Sequence, residues 1–385
     1  MTAFLIILIA ALFVIALWQI SKIVQLGKSP EATGAQGEIA NDSDNDRHGK
    51  YMLYFVIAMY VMMIACFIAY KDFFLPDAAS AHGAEYDNLL LLTTVVIMIV
   101  QFLTQALLHW FSYKYRGKKG QKALFYADND RLEFIWTAIP VVVLAGLILW
   151  GLFSWNDIMD VDKHDDPLVV EVYAYQFGWK VRYSGADNTL GDANVRFIEG
   201  TNVLGIDPTD ADGKDDMVAT ELHLPVNRPV VFKFRSQDVL HSAYMPHFRA
   251  QMNVVPGMVT TFSFTPTVTS EDYRATDFMK RKVSKINEIR RQKSKELEAA
   301  GDVALDQYDF DYYLLCNKIC GASHYNMQMK IVVESEEDYN EWLKTQTTFE
   351  STLANAQNKD IWDKRLQQQQ IMDTMMVTTI TKKLL

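Results

Sequence analysis

Four long segments without a charged side chain dominate the first 156 residues of the chain. They run over residues 1–21, 51–70, 88–113 and 134–156. An α-helix rises about 1.5 Å per residue, so each segment is long enough to cross the roughly 30 Å hydrocarbon layer of a bilayer. We therefore predict four transmembrane helices, over residues 1–24, 51–70, 88–113 and 133–156. A single soluble globule and an intrinsically disordered chain are both excluded.

The loops between these segments differ in charge, which predicts the topology. Residues 114–131 contain six basic and two acidic side chains, whereas residues 71–87 contain one basic and four acidic ones. By the positive-inside rule the former loop is cytoplasmic, and residues 25–50 are then a second cytoplasmic loop. Everything after residue 156 lies outside the cytoplasm. No basic residue precedes the first apolar segment, which favours a retained span over a cleaved signal peptide.

Net charge and cysteine content exclude two further classes. The formal net charge is −10, and the three cysteines are Cys66, Cys316 and Cys320. An acidic chain lacks the basic surface that nucleic-acid binding requires, so no nucleic-acid partner is expected. Three cysteines are too few for a disulfide-stapled scaffold. Cys66 lies inside the second apolar segment and is interpreted as a small packing residue.

The region after the fourth segment is predicted to be rich in β-structure. Short apolar or alternating runs occur at residues 168–175, 230–235, 259–265 and 330–334. Such runs between turn signals are typical of an antiparallel sandwich or barrel. Residues 184–217 are rich in Gly, Asp and Asn and predict a long loop, whereas residues 271–302 predict a charged helical insertion, favoured as a solvated helix over a docking surface. Residues 346–385 form a polar, helix-prone tail with no assigned role.

One short segment concentrates metal-binding side chains. Cys316 and Cys320 are four residues apart, His324 comes four residues later, and Met327 three beyond that. Thiolate and thioether ligands with imidazole select copper over hard cations. Two thiolates on one loop can bridge a pair of metals, which then requires another histidine.

Three histidines compete for that place. His241 ends the segment that comes after the 230–235 run, His223 precedes that run, and His247 comes directly after a proline. The strand-end position favours His241, because strand ends present ligands to loops. A small disulfide or half of a zinc site remains an alternative for the two cysteines.

The twelve residues from Cys316 to Met327 resemble the CuA loop of cytochrome c oxidase subunit II, with the pattern Cys-x3-Cys-x3-His-x2-Met. Residues 133–140 (EFIWTAIP) resemble the start of that family's second anchoring helix, and residues 176–179 (QFGW) its aromatic stretch. Residues 238–241 resemble the strand of the first histidine, and residues 255–258 the segment after that strand. The similarity covers roughly residues 88–342.

This resemblance implies a membrane-anchored all-β protein in which residues 165–345 form a cupredoxin-like β-sandwich with a dinuclear CuA centre. The implied metal ligands are His241, Cys316, the main-chain carbonyl of Lys318, Cys320, His324 and Met327. The two cysteines would bridge the coppers, each histidine would terminate one, and the thioether and carbonyl would be weak axial ligands. The chain would accept electrons from cytochrome c and pass them to haem in subunit I, where O2 is reduced to water with proton pumping.

The resemblance also assigns other residues and partners. Phe177 and Trp179 fall in the family's electron-entry stretch, against the alternative of packed sandwich aromatics. Glu133 matches a glutamate at the mouth of a proton channel, against the alternative of an acid favoured by the helix dipole. Many relatives carry at position 318 a glutamate that reaches magnesium. Lys318 has donors only, so no magnesium ligand from this chain is expected.

The remaining expectations concern context. No Cys-x-x-Cys-His motif is present, so haem belongs to the partner subunit and the donor is a separate cytochrome c or haem c protein. The net charge of −10 would attract a basic cytochrome. The two extra helices and Lys318 resemble bacterial variants that associate with alternative complex III. They imply a multi-pass protein of the bacterial inner membrane with its large domain in the periplasm.

Two other functions remain as alternatives. One is subunit II of a quinol oxidase, which shares the fold but lacks the copper ligands. The other is a membrane-anchored module for copper delivery, or a zinc-stabilised interaction module, without turnover.

Overall fold

A computed structural model describes residues 13–23, 42–71, 74, 76–122, 124–354, 364 and 367. Four apolar helices precede the sheets: α1 (Phe13–Ile23), α2 (Asp42–Tyr70), α3 (Gly83–Lys114) and α4 (Asp130–Met159). Helices α2, α3 and α4 are long and apolar enough to cross a membrane, whereas α1 is shorter. Residues 1–12 lie outside the described residues, so the first predicted span is described only in its second half.

The helices extend beyond the charge-free segments. Helix α2 begins at Asp42, so residues 42–50 are helical rather than part of the predicted loop 25–50. The reason is local electrostatics. Acidic residues in the first turn complement the helix dipole, and Lys50 bonds Asp46 one turn away at 2.6 Å. Helices α3 and α4 likewise begin and end a few residues outside the predicted spans of 88–113 and 133–156.

Helix α2 and the later half of α3 belong to one compact unit, formed by residues 1–70 and 98–129. The Tyr60 hydroxyl donates a hydrogen bond to the carbonyl of Phe102 at 3.0 Å. Gly49 leaves room for Arg116, since a Cβ there would lie 2.8 Å from the arginine Cδ. The Arg116 Nε in turn donates to Asp46 at 2.9 Å. These contacts pack α2 along the later half of α3.

The second compact unit, residues 71–97 and 130–385, contains a β-sandwich. Its described strands are β1 (Leu168–Tyr175), β2 (Gly178–Tyr183), β3 (Met217–Ala219), β4 (Leu222–Pro225), β5 (Val230–Ser236), β6 (His241–Met245), β7 (Ala250–Val254), β8 (Thr260–Phe264), β9 (Tyr312–Cys316) and β10 (Gln328–Glu334). They form two five-stranded sheets, in the orders β3-β2-β1-β5-β8 and β4-β10-β9-β6-β7. Pairs β1–β5 and β4–β10 are parallel, and the other pairs are antiparallel. The predicted fold class, membrane helices followed by a cupredoxin-like β-sandwich with a helical insertion, is confirmed.

The core lies between the two sheets. In β5, Phe232 and Phe234 are buried while Lys233 is exposed, as the alternation predicts. Val172 of β1 and Ile331 of β10 are also fully buried. Burial of each such side chain stabilises the fold by roughly 1.5–3 kcal/mol.

The insertion between β8 and β9 consists of α5 (Ser270–Ala275) and α6 (Asp277–Ala299). The hydroxyls of Thr269 and Thr276 cap these two helices by accepting bonds from main-chain N–H groups. Tyr273, Met279 and Phe310 are buried in the sandwich core, Phe310 lying in the segment that returns to β9.

The final described helices are α7 (Glu336–Lys344) and α8 (Phe349–Leu353). Phe349 of α8 packs with Leu204 and Ile206 in a second small cluster. The beginning of the predicted tail is therefore docked on the sandwich, while most of residues 355–385 lies outside the described residues.

An ion pair joins the sandwich to the start of α3 inside this unit. The Arg249 guanidinium donates to both carboxylate oxygens of Asp87 at 2.8 Å. It also donates to the carbonyls of Pro76 and Pro246. The arginine side chain is almost completely buried, so the pair is shielded from solvent.

Candidate metal centre

Neighbouring strands bring the two halves of the candidate centre together. Strand β9 ends at Cys316, and β6 begins at His241. Because these strands pair with Ala243 opposite Cys316, the start of β6 lies beside the loop that comes after β9. The N–H of Asn317 donates to the carbonyl of Ser242 at 3.0 Å and extends this pairing into the loop.

The Cys316 sulfur forms one half of the centre. Its Sγ lies 3.8 Å from Nδ1 of His241 and 3.2 Å from the main-chain oxygen of Lys318. The histidine is fully buried. The Cys316 sulfur therefore contacts both an imidazole nitrogen and a main-chain carbonyl oxygen.

The Cys320 sulfur forms the other half. Its Sγ lies 3.6 Å from Nδ1 of His324 and 3.7 Å from Sδ of Met327. A 3-10 turn over His324–Asn326 sets this spacing. The sulfurs of Cys320 and Cys316 are 3.9 Å apart, well beyond the ~2.05 Å of a disulfide bond, and both cysteines are free. Each sulfur thus contacts its own imidazole, and the two sulfurs contact each other.

The structure brings together all six predicted ligand positions, and the competing histidines lie elsewhere. The ring of His223 stacks on Trp342 at 4.0 Å, and its Nδ1 is 2.8 Å from a carboxylate oxygen of Glu334. His247 is enclosed by aromatic rings, including that of Phe310 at 5.1 Å.

Asp238 holds His241 from the side opposite the sulfur. One carboxylate oxygen lies 2.8 Å from Nε2 of His241, and the other accepts the main-chain N–H of Gln176 at 2.7 Å. Burial opposes ionisation of Asp238, but the hydrogen bonds from His241 and Gln176 outweigh it and lower the pKa of this carboxyl. Such an acceptor fixes the tautomer and orientation of a ligating imidazole. This role of Asp238 was not predicted from the sequence, where the Asp-x-x-His spacing was the available signal.

The loop that contains Cys320 and Gly321 packs against Gln176 and Phe177, which come directly after β1. The Gln176 side chain donates to the carbonyl of Cys320. Gly321 has a φ of +141°, and a Cβ there would lie 2.8 Å from the ring of Phe177. The aromatic ring therefore occupies space that only glycine leaves free.

The other predicted site residues lie at different depths. Phe177 is 36% exposed, whereas Trp179 is only 4% exposed and its ring lies 6.1 Å from that of His241. Glu133 is exposed in the first turn of α4. These positions leave the electron-entry and proton-channel roles as predictions.

The chemistry of this donor set fits a pair of copper ions. The two sulfurs lie at the middle, and each has an imidazole nitrogen and one weaker donor beside it, an arrangement suited to soft metals. Burial and the nearby Cys316 sulfur raise the pKa of the Cys320 thiol to about 11. The metal-free thiol therefore keeps its proton at neutral pH, and metal binding would release it.

Comparison with known proteins gives consistent matches. A family model described as the transmembrane domain of cytochrome C oxidase subunit II matches residues 68–156. The alternative cytochrome c oxidase subunit 2 of Bradyrhizobium diazoefficiens is 33% identical over 261 residues, covering 66% of this chain and 79% of that protein. Cytochrome c oxidase subunit 2 of Thermostichus vulcanus is 21% identical over 308 residues, covering 73% and 81%. The periplasmic domain of subunit II of cytochrome oxidase from Bradyrhizobium japonicum aligns with a TM-score of 0.27 and 18% identity, covering 47% and 94%.

Proposed function

Since the chain belongs to the cytochrome c oxidase subunit 2 family, we propose that it is the electron-entry subunit of its oxidase. The protein is membrane-anchored and is a subunit of a haem-copper oxidase complex. In the proposal it receives single electrons from a cytochrome c or haem c protein and passes them to haem in subunit I. Reduction of O2 to water, with proton pumping, takes place in the partner subunits.

The observation that carries this proposal is the two-sided contact pattern around the cysteine sulfurs. Cys316 and Cys320 would supply the thiolate ligands for two coppers, and His241 and His324 would supply one imidazole ligand on each side. The sulfur of Met327 and the main-chain oxygen of Lys318 would be the weak ligands. Contacts of 3.2 to 3.9 Å link these groups, with one imidazole on each side.

The residues of this chain would support electron transfer by holding the donors rigidly. A bound copper pair supplies one-electron transfer with small changes in bond length, because both metals share the charge. Asp238 fixes the ring of His241, and burial of that histidine excludes water from one side. Phe177 and Trp179 are proposed for electron entry, and Glu133 for the entrance of a proton channel.

We also propose the cellular context. The chain would be a multi-pass protein of the bacterial inner membrane, with the β-sandwich on the periplasmic side. The basic loop at residues 114–131 supports this orientation. Alternative complex III is the proposed partner on the donor side.

The alternatives predict different metal contents. A copper-free quinol oxidase subunit II does not require the thiol and imidazole groups, all of which are in contact here. A zinc-stabilised module would hold one zinc, and a delivery module would release its copper to another protein. The complete donor set and the family membership together favour the electron-entry role.

The test is metal analysis of the purified oxidase complex with and without Cys320→Ser. We expect the variant to contain two coppers fewer per complex and to lose the near-infrared band of a copper pair that shares one unpaired electron. Cys66→Ser, in α2, is the matched control and should change neither quantity. Equal copper content in wild type and Cys320→Ser, or zinc in place of copper, would contradict the proposal.

A further inference from the structure

A groove of about 910 Å³ lies in the second compact unit, where the start of α3 and the end of α4 meet strands β6 and β7. Its lining contains none of the six candidate metal ligands, and the proposed function makes no use of it. Its volume is in the range of roughly 300–1,000 Å³ that is typical of small-molecule sites. The groove is therefore a second candidate binding site in this chain.

One side of the groove belongs to the apolar helices. Leu90, Leu91 and Thr94 of α3 line it, as does Trp155 of α4. These four residues lie within the charge-free segments 88–113 and 134–156. Leu90 and Leu91 are exposed and belong to a helix long enough to cross the hydrocarbon layer. This side of the groove is therefore accessible to an apolar group from the bilayer.

The charged side chains in the lining leave no cation for an anionic ligand. Arg249 and Asp87 form the buried ion pair described above. Together with two proline carbonyls, this pair occupies four of the five N–H groups of Arg249. The third charged residue among the described lining residues, Asp77, is exposed and negative. A phosphate group would be repelled by Asp77 without gaining an ion pair, so charge complementarity favours an uncharged ligand.

Uncharged polar groups line the side that the sandwich forms. Tyr244 of β6 is opposite Gln251 of β7, and Asn253 comes two residues later on the same strand. His82 also lines the groove, and its Nε2 lies 3.4 Å from the main-chain oxygen of Arg249. Burial lowers the pKa of His82 below its usual 6.5, so the imidazole is neutral at pH 7. Neutral imidazole, amide and phenol groups can each donate or accept a hydrogen bond.

Aromatic rings make up a large part of the lining. They belong to Phe74, His82, Tyr86, Trp155, Tyr244 and Phe262. The rings of His82 and Phe262 meet edge to face, with centroids 5.8 Å apart. Aromatic walls favour a flat ring, which packs on them in stacked or edge-to-face contacts. The lining therefore suits a ligand with a flat, uncharged head and an apolar tail.

We propose that this groove binds a membrane quinone, with its ring against the aromatic side chains and its isoprenoid tail along Leu90 and Leu91 towards the bilayer. A quinone is flat and uncharged, and it carries two oxygen acceptors. His82 and the side-chain amide of Asn253 would each bond one of these oxygens. Binding requires neither copper nor electron transfer, so it stands independently of the proposed function.

Photolabelling of the purified oxidase complex in phosphatidylcholine nanodiscs tests this site. The probe is an azido-substituted decylbenzoquinone in its oxidised form, used without a reductant. Mass spectrometry should find the label within residues 76–94, 155–159 or 244–262 of this chain, the segments that line the groove. Excess unlabelled decylbenzoquinone should remove the label. Replacing half of the phosphatidylcholine by phosphatidylethanolamine or phosphatidylglycerol should not change it.

One pair of variants tests the polar contact with the quinone head. His82→Phe keeps an aromatic ring beside Phe262 and removes the hydrogen bond. It should raise the concentration of decylbenzoquinone needed for half displacement roughly three- to tenfold, the effect of one hydrogen bond. His164→Phe is the matched control, because His164 is also partly buried, contacts Ser263 next to Phe262 on β8, and lies outside the lining. It should leave the displacement unchanged.

A second pair of variants tests the path of the tail. Leu91→Trp places a larger side chain in the groove and should reduce labelling about tenfold by overfilling it. Leu92→Trp makes the same change one residue later on α3, outside the lining, and is the control. This pair changes no polar contact of the quinone head, so it tests the groove independently of His82→Phe.

Three results would overturn the proposal. The first is label that is absent from all three segments of this chain. The second is label that falls when either phospholipid is added and is unaffected by His82→Phe, which indicates that an acyl chain occupies the groove. The third is an equal loss of labelling in Leu91→Trp and Leu92→Trp. Copper content of the same complex, measured separately, tests the proposed function and does not affect these outcomes.

Discussion

His247 should make the β-sandwich unit less stable in acid. Its ring lies among Tyr273, Phe310 and Tyr312, with centroids 5.1 to 5.6 Å away. Both ring nitrogens are buried and have no hydrogen-bond partner among the described residues. Burial, followed by the positive charges of Lys282 and Arg249, lowers the pKa of His247 from 6.5 to about 4. The folded state therefore resists protonation of this ring.

The size and the sign of the effect come from this shift. A difference of about 2.5 pKa units corresponds to about 3 kcal/mol of unfolding free energy. The unfolded chain takes up the proton near pH 6.5, whereas the folded chain does so near pH 4. The contribution is therefore complete above pH 6.5 and is lost as the pH falls from 6.5 to 4.

The variant His247→Phe isolates this contribution, because phenylalanine fits an aromatic cage and does not titrate. At pH 7.5 the variant should be as stable as wild type or slightly more stable, since two unpartnered nitrogens are removed. At pH 4 its advantage should have grown by about 3 kcal/mol. Urea unfolding of the purified chain, followed by near-ultraviolet circular dichroism at stepped pH, measures the difference.

A second variant controls for effects that are not specific to the buried position of His247. His48→Phe, at an exposed position of α2, controls for the loss of a histidine as such. An advantage of His247→Phe that is the same at pH 4 and pH 7.5 would refute the reasoning. It would mean that a partner inside the cage satisfies the ring in both protonation states.

Three further substitutions test other contacts. Asp238→Ala should weaken copper binding roughly 10- to 100-fold in a chelator competition, because the ligating imidazole loses its acceptor; unchanged affinity would refute this. Gly321→Ala should reduce copper content while far-ultraviolet circular dichroism stays constant, since the new methyl group meets Phe177; normal copper content would contradict it. Arg249→Met should lower the unfolding free energy by about 3–5 kcal/mol, with Asp87→Asn in addition restoring part of it; a purely additive double variant would argue against the pair.

The metal centre could be predicted largely from sequence because most of its donors are local. Cys316, Cys320, His324 and Met327 lie within twelve residues, and their spacing alone indicates a shared site. His241 required the additional argument that a strand end lies near the loop. The pairing of β6 with β9 provides the physical basis of that argument.

Contacts between distant segments could not be predicted in the same way. The bond between Asp238 and Gln176 joins residues that are 62 positions apart. The requirement for glycine at position 321 arises from the ring of Phe177, which packs there only in the folded chain. The early start of α2 was missed because the search for charge-free segments excludes the charged first turns that stabilise helix ends.

The helical insertion between β8 and β9 has a consequence for how such subunits change length. It leaves the sandwich at the strand ends that lie away from the candidate metal centre, since it begins after Phe264 of β8 and returns at Tyr312, whereas Cys316 is at the other end of β9. Yet Tyr273 and Met279 fill the interior of the sandwich. Deletion of the insertion would also remove Tyr273 and Met279 and would leave a cavity in the hydrophobic core. Gain or loss of this segment would have to be accompanied by compensating replacements in the surrounding strands, so its length and the composition of the core would evolve together.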